Sequence, residues 1–150
     1  MRRLGTMVFA FIVSFLVASA FGTAVVLLLR GDDSYVPVVF AAGIVAAIAA
    51  PLLAVASLFA GARRAVGRAA WGLILLLGLL AFGIAAVELG AQGTLRAASR
   101  GAGTAAILFA SCALAVWLQG GIFRSDARRR QETQEPPVRF GRGAAPRTTR

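Results

Sequence analysis

Residues 7–29 read MVFAFIVSFLVASAFGTAVVLLL, a stretch without a single charge. Arg2 and Arg3 precede it and Arg30 closes it. At a rise of ~1.5 Å per residue, a helix of this length crosses the ~30 Å hydrocarbon core of a bilayer. Three further runs of the same character follow, at 35–60, 69–89 and 103–123, and Glu88 near the end of the third is the only charged residue inside any of them. In lipid a helix pairs its own backbone groups, whereas an open sheet leaves an edge unpaired. The alternation of a barrel strand is absent from all four runs. The expected fold is an all-α membrane protein of four transmembrane helices in an antiparallel up-down bundle, spanning 1–123, with a basic tail at 124–150.

Composition agrees with this reading. Hydrophobic residues make up 59% of the 150 positions and charged residues 15%. Soluble domains carry about 45–50% and about 25%. The excess apolar content is concentrated in the four runs, so a bilayer accounts for it. The heavy use of arginine, alanine and glycine, with no lysine, points to a GC-rich bacterial genome.

The arginines set an orientation. Positive residues in short loops collect on the cytoplasmic side. Arg2 and Arg3 lie before the first run, Arg63, Arg64 and Arg68 between the second and third, and eight arginines follow the fourth. The opposite gaps hold only Arg30, Arg96 and Arg100. Both termini are therefore expected in the cytoplasm, and the protein in a bacterial inner membrane. Trp71 and Tyr35 open their runs at positions suited to interfacial belts. The basic start followed by Ala18-Ser19-Ala20 also has the outline of a cleavable signal. Cleavage there would strand the apolar residues 21–29, too few to span, so the segment is expected to stay as the first helix.

Between helices in lipid, close packing of small residues drives association. Ala10, Ser14, Ala18 and Gly22 recur every fourth residue in the first run, preceded by Thr6 in the same register, and form one small-residue ridge. In the second run Gly43 and Ala47 share that spacing, as do Ala46 and Ala50. Pro51 lacks the amide that would reach Ala47, and a kink is expected there. Residues 31–33 supply turn chemistry between the first two helices. Eight residues, 61–68, and thirteen, 90–102, are expected to form the other two connections.

Reactive chemistry is sparse. There is no histidine, and Cys112 is a single thiol in mid-run, suited to a helix interface. Neither a nucleophile–base pair nor a metal-ligand spacing occurs, so no catalytic residue, metal or cofactor is expected, and the chain is not read as an enzyme. Glu88 is a candidate interfacial acid within reach of Arg96 or Arg100. A proton-coupled exporter would want such an acid nearer the midplane. Gln119 can bond across helices, while Ser14, Ser111 and Thr104 can bond their own preceding turns.

The tail combines eight arginines with three acids. Arg128 faces Glu132 at helical spacing, so the fourth helix is expected to continue to about residue 134, with Gly120-Gly121 as a soft joint and Pro136-Pro137 as a stop. Beyond that the composition predicts disorder. Arg124, Arg128, Arg129 and Arg130 are the candidate docking residues, for anionic lipid headgroups or for other membrane-protein subunits. Nothing interleaves aromatics with the charges as nucleic-acid binding would require. The functional expectation is a non-catalytic accessory, assembly or scaffold subunit of a larger membrane complex. The alternative is a small oligomeric channel or transporter for an ion or small solute.

Overall fold

The computed structural model describes residues 2–30, 35–59 and 61–134, and these are helical almost throughout. Four helices follow one another: α1 (Arg2–Arg30), α2 (Val36–Ala56), α3 (Ala62–Gln92) and α4 (Leu95–Gln134). Each is long and apolar enough to cross a membrane. The expected turn at residues 31–33 and the expected disorder beyond residue 134 lie outside the described residues.

Helix boundaries depart from the apolar runs in an instructive way. The expected connection 61–68 is instead the first turns of α3. Gly61 adopts a left-handed conformation (φ 77°), the helix begins at the next residue, and Ala62, Val66 and Ala70 form a buried seam below the arginines. The expected thirteen-residue loop 90–102 contracts to Gly93 and Thr94. Gly93 is also left-handed (φ 60°), and its amide reaches back to the Leu89 carbonyl at 3.2 Å, closing α3. Charged residues mark where a helix leaves lipid, not where it ends. Alanine and arginine are strong helix formers and continue it into the aqueous layer.

The 40-residue α4 is the structural axis. At ~60 Å it is about twice the hydrocarbon thickness, so one or both of its ends must stand outside the apolar layer. It packs on all three other helices, and α2 likewise touches α1, α3 and α4. Among the described residues no Cα of α1 comes within 8 Å of one of α3. The bundle is thus a rhombus whose short diagonal is α2–α4. Gly120-Gly121 does not interrupt α4. A side chain at Gly120 would come within 3.2 Å of the Ala70 methyl, so its bare backbone serves a close α3–α4 approach.

The core is built in three layers along the bundle. Ala10, Ala49, Leu53, Val66, Ala70, Val116 and Phe123 form the first, to which all four helices contribute. Ala18, Ala42 and Ala115 form the second, and Val26, Val38 and Ile107 the third, both from α1, α2 and α4 alone. Alanine dominates because it lets backbones approach closely, which is the available source of attraction where lipid is as apolar as the side chains. Large apolar residues point outward instead, among them Phe9, Leu16, Phe40, Leu79 and Phe82. Only 6% of the apolar stretch of α3 is buried inside the bundle, against 44% for α4.

Candidate functional site

The ridge on α1 faces inward. Ala10, Ser14 and Ala18 have no exposed surface, Gly22 is buried, and Val26 continues the same register to the third layer. The two sides of this ridge differ. Phe11 and Phe15 stack flanking it, with ring centroids 5.9 Å apart and planes 3° from parallel. The Phe15 ring settles over Gly43 of α2, where an added Cβ would stand 3.2 Å from it. Gly43 is therefore a seat for an aromatic ring. Ala47 is exposed, and the buried alanines of α2 are Ala42, Ala46, Ala49 and Ala50. The spacing pairs Gly43 with Ala47, but helix rotation turns Ala47 outward and brings the alternative pair, Ala46 and Ala50, to the interface.

One residue ties three helices together. Gln119 of α4 is fully buried, and its Nε2 donates to Ser14 Oγ of α1 at 2.9 Å and to the Ala46 carbonyl of α2 at 3.0 Å. Ser14 Oγ in turn donates to the Ala10 carbonyl at 2.6 Å. The two amide protons of Gln119 are thus both used, while its Oε1 is buried without a hydrogen-bond partner among the described residues. In the apolar interior such a junction fixes the rotation of each helix, because any slip leaves polar atoms unpaired. The sequence marks Gln119 as able to bond across helices, but neither its partners nor that it donates.

A second close approach lies one layer away. A Cβ at Gly22 would overlap the Val38 side chain and come within 2.6 Å of Ser111 Oγ. Ser111 is buried and bonds the Ile107 carbonyl at 2.8 Å, so its hydroxyl is satisfied within α4. Cys112 beside it is buried in the interface. Among the described residues no group of three or more His, Cys, Asp or Glu comes together.

Glu88 and Pro51 lie away from this interior. Glu88 is half-buried, and its carboxylate rests over Gly101 of α4, where a Cβ would collide with it. It therefore bridges the α3–α4 end of the bundle and not its middle. Pro51 sits inside α2 on an exposed face, and the helix continues through it to Ala56. It is exposed on the outside of the bundle.

At the opposite end, α4 carries the arginine cluster. Arg130 pairs with Asp126 at 2.8 Å and Arg128 with Glu132 at 3.1 Å, each across one helical turn. The Asp126–Arg130 order, acid before base, is the better of the two arrangements on a helix. Arg124 and Arg129 make no ion pair among the described residues. Both line a groove of about 570 Å³ between the start of α1 and the end of α4, together with Thr6, Phe9, Trp117 and Asp126.

Comparison with known proteins finds no matching family model, no similar curated protein and no similar solved structure.

Proposed function

We propose that this chain is a multi-pass protein of a bacterial inner membrane, with antiparallel helices, both termini in the cytoplasm, and a non-catalytic role as an accessory, assembly or scaffold subunit of a larger complex. The layer order supports the antiparallel reading: α1 contributes Ala10, Ala18 and Val26 in ascending sequence, while α4 contributes Val116, Ala115 and Ile107 in descending sequence. The distribution of arginines supports the orientation. The observation that carries the role is the distribution of burial. The buried Gln119 amide is spent on holding three helices together, whereas α3 offers a nearly uncovered apolar face and α4 a charged stem long enough to stand clear of the bilayer. Such a molecule is equipped to bind on its outside, through lipid-facing and cytoplasmic surfaces.

Photocrosslinking from α3 tests this in native membranes. A photoreactive side chain at Leu79 or Phe82, both exposed, should trap a discrete membrane protein. Recovery of the chain alone from both positions, and a single-species monomer in mild detergent, would sink the subunit reading.

One observation favours the channel alternative: Ser14 and Gln119 converge inside the bundle, with Oε1 of Gln119 unpaired among the described residues. Neither residue lines the α1–α4 groove, nor the shallower one beside Arg64, Arg68 and Trp71. A selective flux in reconstituted vesicles, abolished by Gln119→Leu, would favour this second reading over the first.

A further inference from the structure

The groove between α1 and α4 has two chemically distinct halves. Its lower wall is apolar, formed by Phe9 of α1 and by Trp117, Leu118 and Ile122 of α4. Its upper end carries Arg124 and Arg129. Asp126 also lines it, but that carboxylate is held by Arg130 through two hydrogen bonds, at 2.8 and 3.1 Å. Arg124 and Arg129 therefore form no ion pair among the described residues, and the buried Nε of Arg124 has no acceptor among them. Arg2 and Arg3 start the facing helix one turn before Thr6, which bonds the Arg2 carbonyl at 3.1 Å. Along α4, Trp117 stands roughly 10 Å below Arg124 at the rise of an α-helix, the depth of mid-acyl chain beneath a phosphate.

We propose that this groove is a binding site for one anionic phospholipid, its phosphate held by Arg124 and Arg129 and an acyl chain laid along Phe9, Trp117, Leu118 and Ile122. Guanidinium groups match phosphate geometry in a way a lone ammonium does not. The apolar wall distinguishes a lipid from a soluble phosphate, which would leave that half of the groove unused. The site deepens the membrane reading above and rests on it, since the stem of α4 must meet the headgroups at this level. Its test uses the purified chain alone. A failed lipid experiment would leave a crosslinked partner standing, and a missing partner would leave the lipid preference standing.

Two tryptophans make the test direct. Trp117 lines the groove, and Trp71 on α3 lies beside Arg64 and Arg68. The full-length Trp71→Phe protein is reconstituted in phosphatidylcholine bilayers containing a small fraction of phosphatidylglycerol brominated in mid-chain, or of phosphatidylcholine brominated alike. Trp117 should be quenched preferentially by the anionic lipid, with a relative association roughly 5-fold higher for each basic contact at low salt. Arg124→Gln with Arg129→Gln should bring that ratio near unity, and Arg124→Lys with Arg129→Lys should retain part of it. The Trp117→Phe protein reports Trp71, whose quenching should not respond to the same substitutions. That constancy shows the variants to be folded. Equal quenching of Trp117 by both lipids, or a preference surviving the double glutamine variant, overturns the proposal. So does its loss to inorganic phosphate at matched ionic strength, which would assign the arginines to a soluble anion.

Discussion

Gln119 Nε2 lies 2.9 Å from Ser14 Oγ, joining two buried side chains 105 residues apart. Because Ser14 Oγ already donates to the Ala10 carbonyl, it can only accept from Gln119. The direction of this bond is therefore set by α1 itself. The same amide reaches the Ala46 carbonyl at 3.0 Å, so one side chain registers α1, α2 and α4 against each other.

Removing that registration should have a measurable and bounded cost. Interhelical hydrogen bonds in membrane proteins average about 0.6 kcal/mol, with a maximum of about 1.7. Gln119→Leu also removes the unpartnered Oε1, which offsets part of the loss. A net destabilisation of about 1 kcal/mol is expected, and a double-mutant cycle with Ser14→Ala should give a coupling of about 0.6 kcal/mol. Reversible unfolding in mixed micelles measures both quantities. Strict additivity of the two substitutions would mean the contact contributes nothing.

On the α1 ridge, Gly22 has no room for a side chain. Even the smallest side chain there overlaps Val38 and crowds Ser111 Oγ. Both neighbours are buried side chains on packed helices, so relief requires them to turn within the core or α1 to move away. Gly22→Ala should destabilise by about 1–3 kcal/mol, the usual range for overpacking. Gly5→Ala, with nothing near its Cβ position, is the matched control and should be neutral or slightly stabilising through helix propensity. A thermal transition unchanged by Gly22→Ala would contradict the close approach.

Ala46 and Ala47 differ by one position and should differ sharply in consequence. Ala46 has no exposed surface and presents its carbonyl to Gln119, while Ala47 faces outward. Leucine at 46 has no room and should cost at least the ~1–3 kcal/mol of overpacking, whereas leucine at 47 meets lipid and should be tolerated. Expression level and aggregation on size exclusion would separate them. Equal behaviour of the two variants would mean that α2 is rotated from the orientation described.

The contrast between these two alanines also marks what can be read from the chain. The α1 ridge is legible because one spacing holds only small residues from Thr6 to Gly22, whereas every other spacing includes large apolar ones such as Phe11, Leu16 and Phe21. In α2 nearly every residue is small or β-branched, so Gly43–Ala47 and Ala46–Ala50 are equivalent by spacing. Hydropathy cannot choose between them, since lipid and protein interior are equally apolar. Helix ends in α3 and α4 are hidden for a related reason. Arg63, Arg64, Arg96 and Arg100 signal the edge of the membrane, and the left-handed glycines that mark α3 itself, Gly61 and Gly93, are two among 17 glycines. That Arg124 and Arg129 form no ion pair among the described residues depends on which arginines find acids, and that is decided by side-chain geometry on α4.

Orientation is open to a direct chemical test because the chain has a single native thiol, Cys112, which is only 3% exposed. In a Cys112→Ala background, cysteine replaces Arg3, Ser99 or Ser125 in turn, all at exposed positions. Among the described residues the Ser99 hydroxyl bonds only the Arg96 carbonyl and the Ser125 hydroxyl only the Gly121 carbonyl, so neither replacement disturbs an interhelical bond there. If both termini are cytoplasmic, a membrane-impermeant maleimide should label Ser99→Cys in intact spheroplasts and spare the other two. Lysis should expose all three. The reverse pattern would invert the topology and move the arginine-rich stem of α4 to the outer face. Labelling of Arg3→Cys and Ser99→Cys from the same side would show that α1–α4 do not all cross the bilayer.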